Sequence, residues 1–309
     1  VAWFFFLLVR RPPRSPPLPY ARLFRAPARR VVDVNKTELA CTFIAVGHGT
    51  SVLIELPDGQ RILYDAGCLG TPVRASQAIA TTLRERGIRR LDAIIISHAD
   101  ADHYNAIPRL LEEFPVGSIF VSPMMFERTS EALAALRAAI ERAGVPIREI
   151  SQGDVIEAAG DTRMEVLHPS LRGVGGSDNA NSIVLRITFA GRSILLPGDL
   201  ESPGLEDLLA TPPSHYDVIM APHHGSPRSR PRVFAEWSRP TWVVISGGHS
   251  SESDNVRREF EAAGAHVLHT DHDGAVSVRI AANRFSVEKW RRRARPFDVL
   301  RKEDVRRAP

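Results

Sequence analysis

Ala93-Ile94-Ile95-Ile96-Ser97-His98-Ala99-Asp100-Ala101-Asp102-His103 is the stretch on which the reading of this chain turns. Four apolar residues read as a short buried strand. Four candidate metal ligands follow within six residues. Alternate side chains of an extended chain share a face, so His98 and Asp100 point the same way at the strand's end. Asp102 and His103 come at the next turn, where the chain enters a helix and can face back. One such segment can supply two ligands to each of two adjacent metal ions. A polar loop with a helix-capping Asp would account for one His and one Asp, but poorly for H-x-D-x-D-H directly after an apolar strand.

Working outward, two more apolar strands end in ligands. Ser193-Ile194-Leu195-Leu196-Pro197-Gly198-Asp199 ends in Gly-Asp, and Val218-Ile219-Met220-Ala221-Pro222-His223-His224-Gly225-Ser226 ends in His-His-Gly. All three deliver their polar residues at a strand's C-terminal end, the edge where open α/β sheets place their sites. Asp65 follows Ile62-Leu63-Tyr64 in the same manner. An acid there can orient a metal-bound His through its other ring nitrogen.

The remaining pattern alternates strands and helices. Strands are predicted at Thr42–Val46, Ser51–Leu56, Gln60–Tyr64, Ser118–Val121, Val145–Ile150, Val155–Ala158, Arg163–His168, Ser182–Phe189, Trp242–Ser246, Val267–His269 and Ala275–Ile280, in addition to the three ligand-bearing ones. Helices are predicted at Ala75–Arg86, Ala106–Phe114, Glu131–Ala143 and Asn255–Ala263. The mixture of hairpins and helices predicts an α/β (α+β) fold of two mixed sheets with outer helices.

The order Asp65-Ala66-Gly67, Ser-His-x-Asp-x-Asp-His, Gly198-Asp199 and Pro222-His223-His224-Gly225-Ser226 resembles the metallo-β-lactamase superfamily. More narrowly it resembles the C-terminal domain of ComEC-type competence proteins, over about residues 42–281. Asn181–Arg186, Gly191, Thr270-Asp271 and Gly274–Val276 carry the likeness beyond the ligands. The resemblance implies a four-layered αββα sandwich and a nuclease of DNA uptake. It also implies two divalent metals, Zn or Mn given the carboxylate-rich set. Carried over by position, His98 and Asp100 bind one metal, Asp102 and His103 the other. Asp199 bridges, and His224 completes the second site. His223 is the alternative ligand or a proton donor. Asp102, Asp199 and His223 are the expected catalytic residues, and Asp65 the supporting acid.

Three departures from that pattern stand out. Between residues 103 and 199 the superfamily's third motif usually supplies a His. The candidates here are His168, in Leu167-His168-Pro169, and Asn181, with Asp178 also near. The glycine loop near the start lacks its acids and reads Ala45-Val46-Gly47-His48-Gly49-Thr50, where His48 is either a substitute site residue or simply exposed. In the late loop, His249 is either a phosphate-side donor or an ordinary loop histidine. Cys41 and Cys68 are the only cysteines, which excludes a disulfide framework and a thiolate-only metal site.

Charge is distributed unevenly along the 309 residues. Net charge is +4, yet residues 10–31 hold seven Arg and no acid. Residues 284–309 hold ten basic residues against four acids, which leaves 32–283 at −9. Basic arms on an acidic body suit a polyanion or a membrane surface. The chain is therefore divided into residues 1–39, a membrane-helix end plus Pro/Arg-rich linker, a domain at 40–282, and a basic tail at 283–309. The apolar run Val1–Val9 is too short to span a bilayer, which needs roughly 20 residues, but fits the end of a longer membrane helix. Partners are then DNA, single- or double-stranded, and a membrane. The family resemblance favours the extracytoplasmic side, whereas the Arg-rich flank favours the cytoplasmic one. Two rival functions are a hydrolase of a small ester or phosphoester, and a catalytically weak DNA-guiding module.

Overall fold

A computed structural model of the chain describes residues 9–10, 38–157, 161–248 and 250–290. In chain order the first elements are β1 (Val9–Arg10), β2 (Glu38–Phe43), β3 (Val52–Glu55), β4 (Arg61–Tyr64), α1 (Pro72–Glu85), β5 (Ala93–Ile95), α2 (Ala101–Tyr104) and α3 (Ile107–Glu113). β6 (Ile119–Val121), α4 (Glu131–Arg142), β7 (Ile147–Glu149), β8 (Val155–Glu157), β9 (Arg163–His168) and β10 (Val184–Phe189) follow. The last third holds β11 (Arg192–Leu196), α5 (Gly204–Leu209), β12 (Val218–Met220), α6 (Pro231–Ser238), β13 (Trp242–Ile245), α7 (Ser251–Ala262), β14 (His266–His269), α8 (Thr270–Asp273), β15 (Ala275–Ala281) and β16 (Arg284–Trp290).

Two eight-stranded sheets result, ordered β16-β15-β2-β3-β4-β5-β6-β7 and β1-β8-β9-β10-β11-β12-β13-β14. Both are mixed in the same way. In the first, β4 to β7 run parallel and the rest antiparallel; in the second, β11 to β14 run parallel. The period-2 alternation of strands explains the layering. Ile62, Ala93 and Ile95 face inward to meet Ile194, Leu196 and Val218 of the other sheet. Leu63, Ile94 and Ile96 face outward and are covered by Ile79 and Leu83 of α1, Leu110 of α3 and Leu136 of α4. On the far side Phe234 and Trp237 of α6 and Phe260 of α7 cover Ile219 and Val243. The stack is helix, sheet, sheet, helix, as the sequence predicts.

Helix ends follow local chemistry. Pro72 opens α1 at a position where the missing N–H costs nothing. Ser130 caps α4 by accepting from Leu133 N at 3.1 Å, and Ser250 with Ser253 forms a capping box on α7.

Four expectations change. Residues 284–290, grouped with the basic tail by their charge, form β16, paired with β15 along its whole length. Phe285 and Val287 pack against the core between the sheets, and the charged residues that alternate with them hid the strand signal. The folded domain therefore runs from Glu38 to Trp290 among the described residues, not 40–282. α5 and α6 are helices that the spacing did not announce. Val9 and Arg10, read as the end of the apolar run and its flank, pair antiparallel with Ile156 and Val155 at a sheet edge. Val1–Leu8, the rest of the linker and residues 291–309 lie outside the described residues, as does His249. No helix among the described residues is long and apolar enough to cross a membrane.

Candidate metal centre

Parallel pairing puts the ligand-bearing strand ends side by side. β4 and β5 are in register with Tyr64 opposite Ile95, so Asp65 and Ser97 emerge together. β11 and β12 pair likewise and bring Asp199 next to the His223-His224 turn. The sheets are tied at this edge. Tyr64 Oη donates to the carbonyl of Ile183 at 2.7 Å, and Ile183 N donates to that of Ser97 at 2.8 Å. The two ligand sets therefore meet at the seam between the sheets.

Asp65 organises the first set. Its Oδ1 accepts from Ser97 N at 2.7 Å, and its Oδ2 accepts from Ser97 Oγ at 2.8 Å. The same Oδ2 is 2.8 Å from His103 Nδ1, which must donate because the carboxylate can only accept. His98 Nδ1 is 2.9 Å from Ser97 Oγ, whose proton is directed to Asp65, so this ring nitrogen also donates. Both imidazoles therefore present an Nε2 lone pair. His98 Nε2, His103 Nε2 and Asp199 Oδ1 are all buried and make no hydrogen bond. His103 Nε2 is nonetheless 3.1 Å from Asp199 Oδ1. Three buried, unbonded electron-pair donors facing one point fit a cation.

His224 organises the second set. Its Nδ1 donates to the carbonyl of Ser246 at 2.7 Å, so Nε2 turns inward, 3.1 Å from Asp102 Oδ2 and 3.3 Å from Asp199 Oδ2. Asp199 thus has one oxygen beside each set. Backbone conformation aims this histidine: His223 and His224 adopt φ of 51° and 53°, a left-handed excursion rare for residues with a Cβ. Within the described residues, two groups have ligand atoms all within 4.8 Å of one another: His98, His103 and Asp199; and His48, Asp102 and His224.

Charge in the cluster is strongly coupled. Burial raises the Asp102 carboxyl, but the hydrogen bond from His224 and the charges of His103 and His224 outweigh it and bring its pKa to about 2. Burial also raises Asp199, yet His103 and His224 hold it well below the usual carboxylate range. Burial lowers His103, and Asp199 and Asp65 more than reverse that, leaving it well above an ordinary imidazole. A histidine wanting to be cationic beside anionic carboxylates marks the place where an external cation would substitute for protons.

The remaining expected residues are placed as follows. Asp100 is at the rim, its side chain 46% exposed and 3.6 Å from His98 Nε2. His223 is at the mouth, with Nε2 3.8 Å from Asp199 and Nδ1 3.4 Å from Glu201. Asn181 does not join either group. Its Oδ1 accepts from Val174 N at 2.7 Å and its Nδ2 donates to Val174 O at 3.0 Å, so the amide braces the 173–177 loop. His168 is 2.8 Å from the carbonyl of Ala180 through Nε2 and is likewise turned away. Neither third-motif candidate reaches the cluster. The Cys68 thiol donates to Thr71 O, and Cys41 is buried in β2. Sequence reasoning passed over Ser97, although it stands inside the quoted motif, and over Glu201, which no motif marks.

The superfamily model for metallo-β-lactamases matches residues 44–261. The chain belongs to the metallo-β-lactamase superfamily. Among superfamily structures it is similar to the metallo-β-lactamase fold protein YhfI from Bacillus subtilis, with 14% identity, a TM-score of 0.51, and cover of 81% of this chain and all of that one. Curated relatives include ComE operon protein 3 of Bacillus subtilis, 30% identical over 76% of this chain, and competence protein ComA of Neisseria gonorrhoeae, 29% identical over 86%. The chain spans about a third of the length of these two, 32% and 36% respectively. The metallo-β-lactamase fold and its His/Asp clusters make this a metal-dependent hydrolase scaffold.

Proposed function

We propose that the chain is a metal-dependent phosphodiesterase that cleaves DNA during competence-type uptake. The observation that carries the proposal is Asp199. One carboxylate oxygen lies against the His98/His103 group and the other against the Asp102/His224 group, the arrangement a paired-metal phosphodiesterase requires. The likeness to competence proteins supports DNA as the substrate class. Membrane attachment, on the extracytoplasmic side, belongs to the same proposal and rests on the family resemblance, as does DNA binding by the basic segments.

The donors to two divalent ions, Zn or Mn, are His98, Asp100, Asp102, His103, Asp199 and His224. When bound, such ions make water acidic enough to attack at neutral pH and offset charge building on the phosphoryl group. The protein's own part is positional. Asp65 and Ser97 hold His98 and His103 in the tautomer that turns Nε2 inward, and Ser246 does the same for His224. Asp102 and Asp199 stay ionised at neutral pH and keep their electron pairs available. Asp199 receives further support from Ser182, whose Oγ accepts from Asp199 N at 3.2 Å. His223 stands at the mouth, outside the buried group, and delivers a proton to the leaving oxygen.

The test combines metal analysis of the 309-residue chain with cleavage of single- and double-stranded DNA and of bis(p-nitrophenyl) phosphate. Two equivalents of metal and chelator-sensitive cleavage of both kinds of substrate are expected. Cleavage of small esters with no action on any phosphodiester would replace the nuclease with a small-ester hydrolase. Less than one equivalent of tightly held metal, with DNA bound but uncut, would leave a DNA-guiding module.

A further inference from the structure

The resemblance divides the ligands by sequence order and pairs Asp102 with His103. The structure divides them differently. His103 spends Nδ1 on Asp65 and directs Nε2 at Asp199 Oδ1, on the side of His98, whose ring centroid is 4.2 Å away. Asp100 is on that side too, nearest to His98. Asp102 and His224 are left facing each other with Asp199 Oδ2 beside them. Two donors plus a shared carboxylate oxygen make a thin site. That is three protein ligands, the set of an open site, and one further donor would complete four-coordination.

We propose that His48 is a further donor, so that His48, Asp102 and His224 form one metal position while His98, His103 and Asp199 form the other. The inference rests on the metal-dependent reading above. The His48 and His224 rings are 4.7 Å apart between centroids, and the ligand atoms of His48, Asp102 and His224 lie within 4.8 Å of one another. His48 belongs to the glycine loop that has lost its acids, so an imidazole stands where the family resemblance leads one to expect none.

The loop is built to hold it. Gly49, at φ +154°, lies so close to Gly67 and Cys68 that a Cβ would stand 2.4 Å from Gly67 O. That approach clamps the loop onto the turn carrying Asp102, reinforced by Thr50 N donating to Asp102 O at 3.3 Å. Leu69 N donates to His48 O at 2.6 Å, and Ser246 Oγ donates to Gly49 O at 3.2 Å. The Ser246 carbonyl also accepts from His224 Nδ1, so one residue holds the His224 ring and the backbone next to His48. On the open side, the nearest atom to a Cβ at Gly248 would be His48 Cβ at 3.3 Å, so Gly248 leaves the ring its space. His48 itself is exposed at the edge of the cluster, and these contacts hold the loop so that its ring stays beside His224.

The test is a cobalt(II) titration of the full chain after chelator treatment, read by absorption. Wild type is expected to bind in two steps. In His48→Ala, the second step should weaken at least tenfold, about 1.4 kcal/mol, with the first unchanged. In His48→Cys, a thiolate-to-cobalt charge-transfer band should appear that wild type, with Cys41 and Cys68 buried, lacks. An unaltered isotherm for His48→Ala, or no band from His48→Cys at saturating cobalt, would overturn the proposal alone. A wild type that binds no cobalt would overturn it together with the metal-dependent reading. A band from His48→Cys in a chain whose wild type cuts no DNA would support His48 and refute only the nuclease.

Discussion

His103 Nδ1 and Asp65 Oδ2 lie 2.8 Å apart, and neither side chain is exposed at all. The contact does more than join two residues. It fixes which ring nitrogen of His103 carries the proton, and through Ser97 it does the same for His98. One buried acid thus decides where two lone pairs point.

Stripping the metal should expose a loss of stability at alkaline pH. The His103 imidazole is raised well above its ordinary 6.5 by Asp199 and Asp65 against the pull of burial, and His224 is raised too. Stability from a raised imidazole is complete below pH 6.5 and disappears as pH climbs through the folded value. With chelator present, the melting temperature should therefore fall on the alkaline side of pH 6.5. With metal present that alkaline loss should be absent, because bound metal already requires deprotonated imidazoles. His48 and His168 shift downward, chiefly through burial, so they weaken the fold only on the acid side. Melting curves from pH 6 to 9, with and without chelator, check this difference.

Asp199→Asn should lose cleavage and at least one equivalent of metal while keeping its circular dichroism spectrum. Retention of a tenth of the activity corresponds to about 1.4 kcal/mol of barrier. That is too little for a carboxylate that serves both sets of ligands.

His223→Ala should keep its full metal content and cleave slowly, most of all with poor leaving groups. His224→Ala should lose metal. The contrast is expected because His224 Nε2 is inside the cluster, whereas His223 is at its mouth. Metal analysis of the two variants side by side would reveal an exchange of roles.

Asn181→Ala should cost stability without touching metal content. Its amide makes two part-buried bonds with Val174, and each such bond lost costs about 0.5–1.5 kcal/mol. Urea unfolding and metal analysis of the same preparation check this, and metal loss would return Asn181 to the ligand set.

Two truncations should behave differently. Removing 291–309 should leave the melting temperature unchanged, weaken DNA binding and flatten its salt dependence, because fewer counterions are released. Removing 284–309 should in addition lower the melting temperature, since β15 would lose β16 and the cover of Phe285 and Val287.

The architecture was legible because strand ends and ligands coincide: Ile94–Ile96, Ile194–Leu196 and Val218–Met220 are apolar runs that stop where polar chemistry begins. Asp65 was legible for the same reason. β16 was not, since Arg284, Glu288 and Lys289 swamp the alternation of Phe285 and Val287. The grouping of ligands was not legible either. Spacing says that Asp102 and His103 are neighbours, but their side chains leave α2 in different directions, toward His224 and Asp65 respectively. His48 stayed open between a substitute site residue and an exposed one, because a lone histidine in a glycine loop carries no periodic signal; the close approach of Gly49 to Gly67 brings it to the cluster.

The seam location of the centre also dictates an order of events in folding. Asp102 and His224 are separated by 122 residues of sequence, and the strands on either side of that seam pair only after long loops close. No short stretch holds a complete ligand set, so an ion cannot nucleate this fold as it does in a zinc finger. Sheet docking has to come first, and metal should enter late, slowing unfolding far more than it speeds refolding.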